Sequence, residues 1–424
     1  MPSFKESSLT KITFNPDAVD PNYPLIIDDV TLAMFLRLRT KTLWYLLHQR
    51  NTDEAYNCFS IPRFTQSSRN GKKIRLSNRE IQEPLGLMKI VHKKLNKLFS
   101  SIPLDISIAA YMKGRNCADA ARRHVRHSHT VPLGTIDEAL ELDHRYAKTS
   151  VPSDPTDTKS PQVTQYYQPL CMIKMDISNF FPSIKTSWIR NYLKEEVGYS
   201  HYAAGLIASL CTVKRLIKRP GCDVIETRHL PQGSPLSGAL ANLVAYHRFG
   251  KRLLEMLRTH SSDWVITIYS DDIIMTHPSL TLDDTEANSI KNRVETLITN
   301  AEFKINAKKT LVRRSHHGKI KILGCVVTTK LNIPASVRKD IGHKLHLCKT
   351  LGFVATCPAN RSVGNYLMYL RGIIEYIKSV RPDLAAKYTV VLQDAKTKFA
   401  HEIEQLKSGG FIHEYGKKES EKDK

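Results

Sequence analysis

Two apolar stretches of this chain carry aspartate where a buried strand tolerates it least. Ile173-Lys174-Met175-Asp176-Ile177 reads as a hydrophobic strand ending in a carboxylate. Ile266-Thr267-Ile268-Tyr269-Ser270-Asp271-Asp272-Ile273-Ile274-Met275 is apolar on both sides of a Ser-Asp-Asp tip. That second pattern predicts a tight hairpin holding two carboxylates at the edge of a sheet. Most Asp-Asp pairs are ordinary turns, but surface turns seldom need apolar runs on both flanks. Burying carboxylates against apolar strands is costly unless something positive neutralises them. Hard divalent cations with oxygen ligands do so, and Mg²⁺ typically takes one or two carboxylates plus substrate phosphates. Two such ions about 3.5–4 Å apart clamp the attacking and leaving oxygens of an in-line phosphoryl displacement.

Charge points the same way. Lys plus Arg is 63 against 41 Asp plus Glu, a net +22 over 424 residues. A balance that basic implies a polyanionic partner, most economically nucleic acid, because each neutralised phosphate releases a counterion. An acidic membrane surface and a plainly solvated basic face are the competing readings. No stretch approaches ~20 consecutive apolar residues, so no bilayer span is expected, and the first residues lack the apolar core of a secretory signal. The eight cysteines are dispersed, with no Cys-x-x-Cys pair. That argues against a zinc ribbon or a disulfide scaffold and for free thiols in a cytoplasmic protein.

At ~100–200 residues per domain the length predicts two or three packed units. Periodicity predicts helices over 28–49, 83–98, 187–196, 235–259 and 283–303, then three more near 337–351, 363–380 and 384–406. Short strands are expected at 59–63, 73–76, 171–177 and 321–328, with two apolar runs about a polar tip over 264–276. The Pro-rich stretch 148–162 has loop composition. Strands and helices alternate in the middle, with helices alone at the end, which predicts an α+β core and a separate helical C-terminal domain.

Between the aspartates lies Leu230-Pro231-Gln232-Gly233-Ser234-Pro235-Leu236-Ser237-Gly238-Ala239-Leu240-Ala241-Asn242. A Pro/Gly-rich loop turning into a helix at Pro235 exposes backbone N–H groups and a positive helix end, or is simply a helix start. In this order, Asp176, the loop and Tyr269-Ser270-Asp271-Asp272 match reverse transcriptases. The chain resembles the prokaryotic branch that includes retron, group II intron and defence-associated enzymes. Asp176-Ile177-Ser178-Asn179-Phe180-Phe181-Pro182-Ser183-Ile184 looks like the first palm motif, Pro231 to Ser237 the second, and Tyr269 to Asp272 the third. Lys308-Lys309-Thr310 and Ile322-Leu323-Gly324-Cys325 resemble the next two. Gly71-Lys72-Lys73-Ile74-Arg75 and Ala110-Tyr111-Met112-Lys113-Gly114-Arg115-Asn116 resemble fingers segments. The resemblance covers about residues 55 to 380.

It implies an α+β right-hand polymerase fold with fingers, a palm of antiparallel sheet with helices, and a helical thumb. The expected divisions are an N-terminal arm at 1–27, fingers at 28–165 with an insertion at 125–170, palm at 166–334, thumb at 335–408 and a charged tail at 409–424. It also implies RNA-templated DNA synthesis from deoxynucleoside triphosphates. Asp176, Asp271 and Asp272 would bind two Mg²⁺, with Mn²⁺ as the alternative ion and the carbonyl of Ile177 as a further ligand. Phe181 falls at the position that screens against a ribose 2′-hydroxyl, Gln232 would line the nucleotide pocket, and Lys73 and Arg75 would hold triphosphate oxygens. Lys308 or Lys309 would sit near the leaving pyrophosphate. Tyr269, Gly233, Ser234 and Pro235 would lie along primer and template. Arg115, Arg122, Arg123, Lys339 and Arg371 are candidates for contact with nucleic acid.

The match departs from retron enzymes at two signatures. Ala120-Ala121-Arg122-Arg123-His124 lacks the Asn of Asn-Ala-x-x-His, and Val327-Thr328-Thr329 lacks the Gly of Val-Thr-Gly. His124, His127 and His129 have no fourth ligand of suitable spacing, so a basic RNA-contacting strip fits them better than zinc. These departures favour a retron-related enzyme of antiphage defence that works on a dedicated structured RNA. The rivals are a retron enzyme making branched RNA-linked DNA, template-independent or protein-primed synthesis, and a catalytically idle RNA-binding protein. A homo-oligomer or an effector protein as partner stays open.

Overall fold

One strand organises the centre of the molecule because its two faces differ. Along 171–178, Cys171, Ile173, Met175 and Ile177 alternate with Met172, Lys174, Asp176 and Ser178. Successive side chains of a strand point to opposite faces, so the apolar set turns to the core while Lys174 and Asp176 share the other face. The computed structural model describes residues 18–49, 54–62, 64–66, 73–75, 78–125, 127–132, 148–150, 162–167, 171–217, 225–261, 263–278, 282–359, 361–402 and 404. For 64–66, 73–75, 127–132, 148–150, 162–167, 215–217 and 225–226 it describes the backbone alone.

In chain order the strands are β1 (Tyr56–Ile61), β2 (Phe64–Gln66), β3 (Lys73–Arg75), β4 (Arg79–Pro84), β5 (His127–Pro132), β6 (Lys148–Ser150), β7 (Gln162–Tyr167) and β8 (Cys171–Ser178). There follow β9 (Val213–Ile217), β10 (Ile225–His229), β11 (Val265–Tyr269), β12 (Asp272–His277), β13 (Lys304–Ile305), β14 (Leu311–Arg314), β15 (Ile320–Ile322), β16 (Cys325–Val327) and β17 (Leu331–Asn332). The described residues form two compact units, one within 1–116 and 170–314, the other within 117–169 and 315–424.

In the first unit an antiparallel sheet runs β11-β12-β8, with β13 and β14 both on the far edge of β8. The segment 107–109 covers the outer edge of β11, where Ala109 N–H donates to Ile268 O at 2.9 Å and Ile268 N–H to Ser107 O at 2.8 Å. The helices Thr186–Glu195, Ser237–Ala245, Lys251–His260 and Asp284–Asn300 join one core with β8, through residues such as Ile189, Leu240, Leu257 and Val294. The expected long helix over 235–259 is interrupted by a π turn, Tyr246–Gly250. The expected helix over 28–49 is two helices, Asp29–Leu36 and Thr40–Gln49. Arg37 breaks it by adopting φ 52, and its N–H caps the carbonyls of Ala33 and Met34. Glycine normally takes that cap position, so the sequence carried no signal for it. The helix expected from 83 begins at Gly86, because β4 runs on through Pro84.

The second unit contains the sheets β15-β16-β17 and β5-β7-β6 and the helices Ala335–Leu351, Val363–Val380 and Pro382–Lys398. The short helix Cys117–Arg123 packs against β16, β17 and the Val363–Val380 helix. The single strand expected over 321–328 is a hairpin, turned at Leu323 and Gly324, whose φ values are 47 and 85. Part of the expected loop 148–162 is strand β6, which pairs with β7. Among the described residues no helix is long and apolar enough to cross a membrane.

Candidate active site

The Ser-Asp-Asp tip is a turn of two residues. Tyr269 pairs with Asp272, which leaves Ser270 and Asp271 at the bend. Ser270 takes φ 58, a region costly for a residue with a side chain. The bend is tied down from β8, the strand beside β12, where Ile177 N–H donates to Asp271 O at 2.8 Å. Asp272 stands opposite Asp176 in register, and directly paired residues of an antiparallel ladder lie about 4.5–5.5 Å apart at Cα. Three carboxylates are thereby gathered where β8 meets the β11–β12 turn.

Asp176 is only 4% exposed. It accepts from Asn306 Nδ2 at 3.0 Å and Lys309 Nζ at 2.7 Å. Lys174 Nζ lies 2.9 Å from Asp272. Two lysines thus offset two of the three negative charges, as burial of carboxylates requires. Among the described residues Asp271 makes no ion pair of its own, though Lys309 offsets part of the charge around it. Burial, then the charges of Asp272 and Asp176, hold its carboxyl above the ordinary carboxylate range.

The site is all-oxygen, which suits a hard divalent cation and not zinc, and the raised Asp271 marks an excess of negative charge that such an ion relieves. Among the described residues no three His, Cys, Asp or Glu side chains stand ready as a metal cage. The residues fit the ion in chemistry, and Lys309 and Lys174 would have to yield part of their hold on Asp176 and Asp272.

Beside the turn opens a polar cleft of about 310 Å³. Asn78, Arg79, Gln82, Tyr111, Asn179, Phe181, Gln232, Ser270 and Asp271 are among its walls. Gln232 O accepts from Gln82 N–H at 2.7 Å, joining the loop after β10 to β4. Gly233 adopts φ 118, and a Cβ there would meet Ile81 Cγ2 at 2.7 Å. Ser234 is buried and bonds His92 Nδ1 at 2.6 Å, while His92 Nε2 bonds Leu210 O at 2.9 Å. Complete burial pushes His92 down to about 4, so the ring is neutral, donating to Leu210 O and accepting from Ser234. Ser237 Oγ donates to Pro231 O at 2.6 Å. Pro235 is exposed.

Of the remaining expected residues, Phe181 is half-buried beside Phe180, Ile177 is buried, and Tyr269 is half-buried at the end of β11. Lys309 reaches Asp176 while Lys308 is exposed. Lys73 and Arg75 lie on β3, and their side chains fall outside the described residues, as do those of His127 and His129 on β5. Arg115 is committed to backbone carbonyls, donating to Leu104, Asp105 and Ile108. Its guanidinium therefore braces the loop before Tyr111. Arg122 pairs with Asp119 at 2.5 Å and donates to Ser379 O at 2.7 Å. Arg123 is half-buried, His124 is fully buried, and Lys339 and Arg371 are exposed on their helices. Burial and the nearby Arg371 hold the Lys396 ammonium below its ordinary range.

Sequence reasoning passed over Lys174, Asn306, Arg79 and His92. For Lys174 a signal existed, since two residues before Asp176 on a strand is the same face. The other three are brought in by tertiary packing.

A model of the family "Reverse transcriptase (RNA-dependent DNA polymerase)" matches residues 81–327. No curated protein matches the chain. Among solved structures, telomerase from Candida albicans in complex with a fragment of telomeric RNA is 10% identical, with 88% of this chain and 70% of that one covered and a TM-score of 0.39. Apo telomerase from Candida tropicalis is 11% identical over 81% of this chain and 62% of that one, at 0.40, and its C-terminally truncated form 12% over 69% and 59%, at 0.39. The chain spans 59% to 70% of the length of these telomerases. More than half of its residues answer to the one family model, so the chain belongs to the reverse transcriptases, and residues 81–327 are its RNA-dependent DNA polymerase domain.

Proposed function

We propose that this protein copies a dedicated structured RNA into DNA, with Asp176, Asp271 and Asp272 holding two Mg²⁺ ions and the Ile177 carbonyl as a further ligand. The observation that carries the reading is the pairing of buried Asp176 with Asp272, beside a strained turn that brings in Asp271. When bound, the ions would supply the charge that an in-line displacement at a nucleotide α-phosphorus needs. Mn²⁺ would serve in their place.

The chain's own residues do the positioning. Phe181 and Gln232 stand in the wall of the cleft where a nucleotide sugar and base would enter. Lys309, which reaches Asp176, or its neighbour Lys308 would sit near the leaving pyrophosphate; the primer 3′-oxygen would bond to phosphorus as the bond to pyrophosphate breaks. Lys73 and Arg75 would hold triphosphate oxygens from β3, and Gly233, Ser234, Pro235 and Tyr269 would lie along primer and template. Lys339, Arg371, Arg122 and Arg123 would meet RNA phosphates. Fingers, palm and thumb would fall at 28–165, 166–334 and 335–408. The net charge of +22 supports an RNA partner. The sequence resemblance to defence-associated enzymes supports a role against phage.

Purifying the protein from cells and sequencing its bound RNA and DNA tests this directly. One dominant RNA with complementary DNA, absent when Asp271→Ala and Asp272→Ala are combined, is the expected result. RNA without variant-sensitive DNA, or DNA unrelated to that RNA, overturns it.

A further inference from the structure

Three non-glycine residues with positive φ line the same cleft: Tyr111 at 55, Asn179 at 51 and Ser270 at 58. Among the described residues only six adopt such values, so unfavourable backbone is concentrated here, as it is at functional sites. Asn tolerates the left-handed region and Ser270 sits at a hairpin bend. Tyr111 has neither excuse. Its ring is 53% exposed, so core packing does not account for it either.

Several independent features hold Tyr111 where it is. The carbonyl just before it, Ala110 O, accepts from the buried Asn242 Nδ2 at 2.6 Å. The backbone two residues earlier is laid against β11. The ring lies on Gly238, where a Cβ would stand 2.3 Å from Tyr111 Cγ. Gly238 and Asn242 are one turn apart on the Ser237–Ala245 helix, hence on one face. One helix therefore supplies both the space for the ring and the bond that fixes its backbone. The free side of the ring meets Phe181, edge to face, with centroids 6.1 Å apart at 63°.

We infer that Tyr111 is a positioning residue that sets the sugar selectivity of the incoming nucleotide by holding Phe181 in place. The inference rests on the reading of Phe181 as the side chain that faces the sugar. Phe181 is backed by Phe180 and by Tyr111. Without Tyr111, Phe181 is free to swing toward the vacated side, and a ribose 2′-hydroxyl meets less resistance.

The test is single-nucleotide extension on poly(rC)–oligo(dG), with kcat and KM measured for dGTP and for GTP. An edge-to-face pair is worth enough to change a ratio about tenfold. Tyr111→Ala is expected to lower the dGTP-over-GTP preference by about that factor, chiefly through KM for GTP. Tyr111→Phe, which keeps the ring, retains the preference. Gly238→Ala, which pushes the ring from its seat, lowers it again. Phe181→Val relaxes the preference most, and adding Tyr111→Ala to it changes nothing further, because the two act as one unit. If Phe181→Val leaves the preference intact, the reading of Phe181 fails and takes this inference with it. If Phe181→Val relaxes it and Tyr111→Ala, folded by its thermal midpoint, does not, only the inference fails.

Discussion

The hairpins β11–β12 and β15–β16 both turn through two residues, and both place the first of them in the left-handed region, Ser270 at φ 58 and Leu323 at φ 47. They diverge at the second. Gly324, at φ 85, takes a conformation that glycine adopts freely, and its carbonyl accepts from Tyr376 Oη at 2.9 Å. In the other hairpin the second residue is Asp271, followed by Asp272, which faces Asp176. One hairpin satisfies its turn chemistry at the second position, with no like charge beside it. The other carries strain and like charge together, and is kept in shape by β8, by the 107–109 segment and by two lysines. A sheet can hold an unfavourable turn when enough of its neighbours fix the geometry.

Four experiments would break or sharpen that contrast. The largest effect is on chemistry. Combining Asp271→Ala with Asp272→Ala should lower single-turnover extension at least about a thousandfold, since bound metal supplies several kcal/mol. Leu323→Ala, at the same place in the other hairpin, should change it no more than about twofold.

The buried His92, bonded to Ser234, comes next. His92 titrates near 4 in the folded protein against an ordinary 6.5. The unfolded chain takes up the proton first, so stability is full above about 6.5 and falls as the pH drops through 4. The loss is about 3 kcal/mol at 1.36 per pH unit. Urea melts between pH 7 and 4 should show this slope, and H92Q should lack it.

Exchanging turn residues should give smaller, opposite changes. Gly324→Ala should cost about 1–2 kcal/mol with extension rate unaltered. Ser270→Gly should gain at most about 1 kcal/mol in stability; equal losses in both hairpins would dissolve the distinction.

The smallest effect concerns charge alone. The Asp271 carboxyl titrates above its unfolded value, so its ionised form works against folding at neutral pH, and the penalty fades as the group is protonated. Asp271→Asn should therefore raise the thermal midpoint at pH 7, with the gain shrinking toward acid pH. A gain that grows in acid would contradict the assigned environment.

How much of this could be read from residues alone follows the same division. The strand that carries Asp176 and the apolar runs around Ser270 were legible because a period of two is local. The register that sets Asp272 against Asp176 was not, since it depends on strands nearly a hundred residues apart. The break at Arg37 and the bend at Leu323 escaped because each places a bulky residue where glycine is the usual signal. The π turn at Tyr246–Gly250 left no mark on an apolar helical pattern. Arg115 looked like a cation awaiting phosphate, and only packing revealed its three carbonyl partners. Tyr111 passed as part of a motif, and its strain was visible only as a dihedral angle.

The pairing of β8 with β12, β13 and β14 also bears on how the protein comes into being. Asp176 leaves the ribosome about 140 residues before Arg314 completes the last of those ladders. At 5–20 residues per second that is roughly 7–30 s, and until β12 is made, about a hundred residues after Asp176, β8 has none of its strand neighbours. A nascent chain of this kind is exposed to chaperones, and to other nascent chains, for the whole interval. Slower translation between the two aspartate segments would lengthen it, and the yield of active enzyme should respond to codon choice there more than anywhere downstream of residue 314.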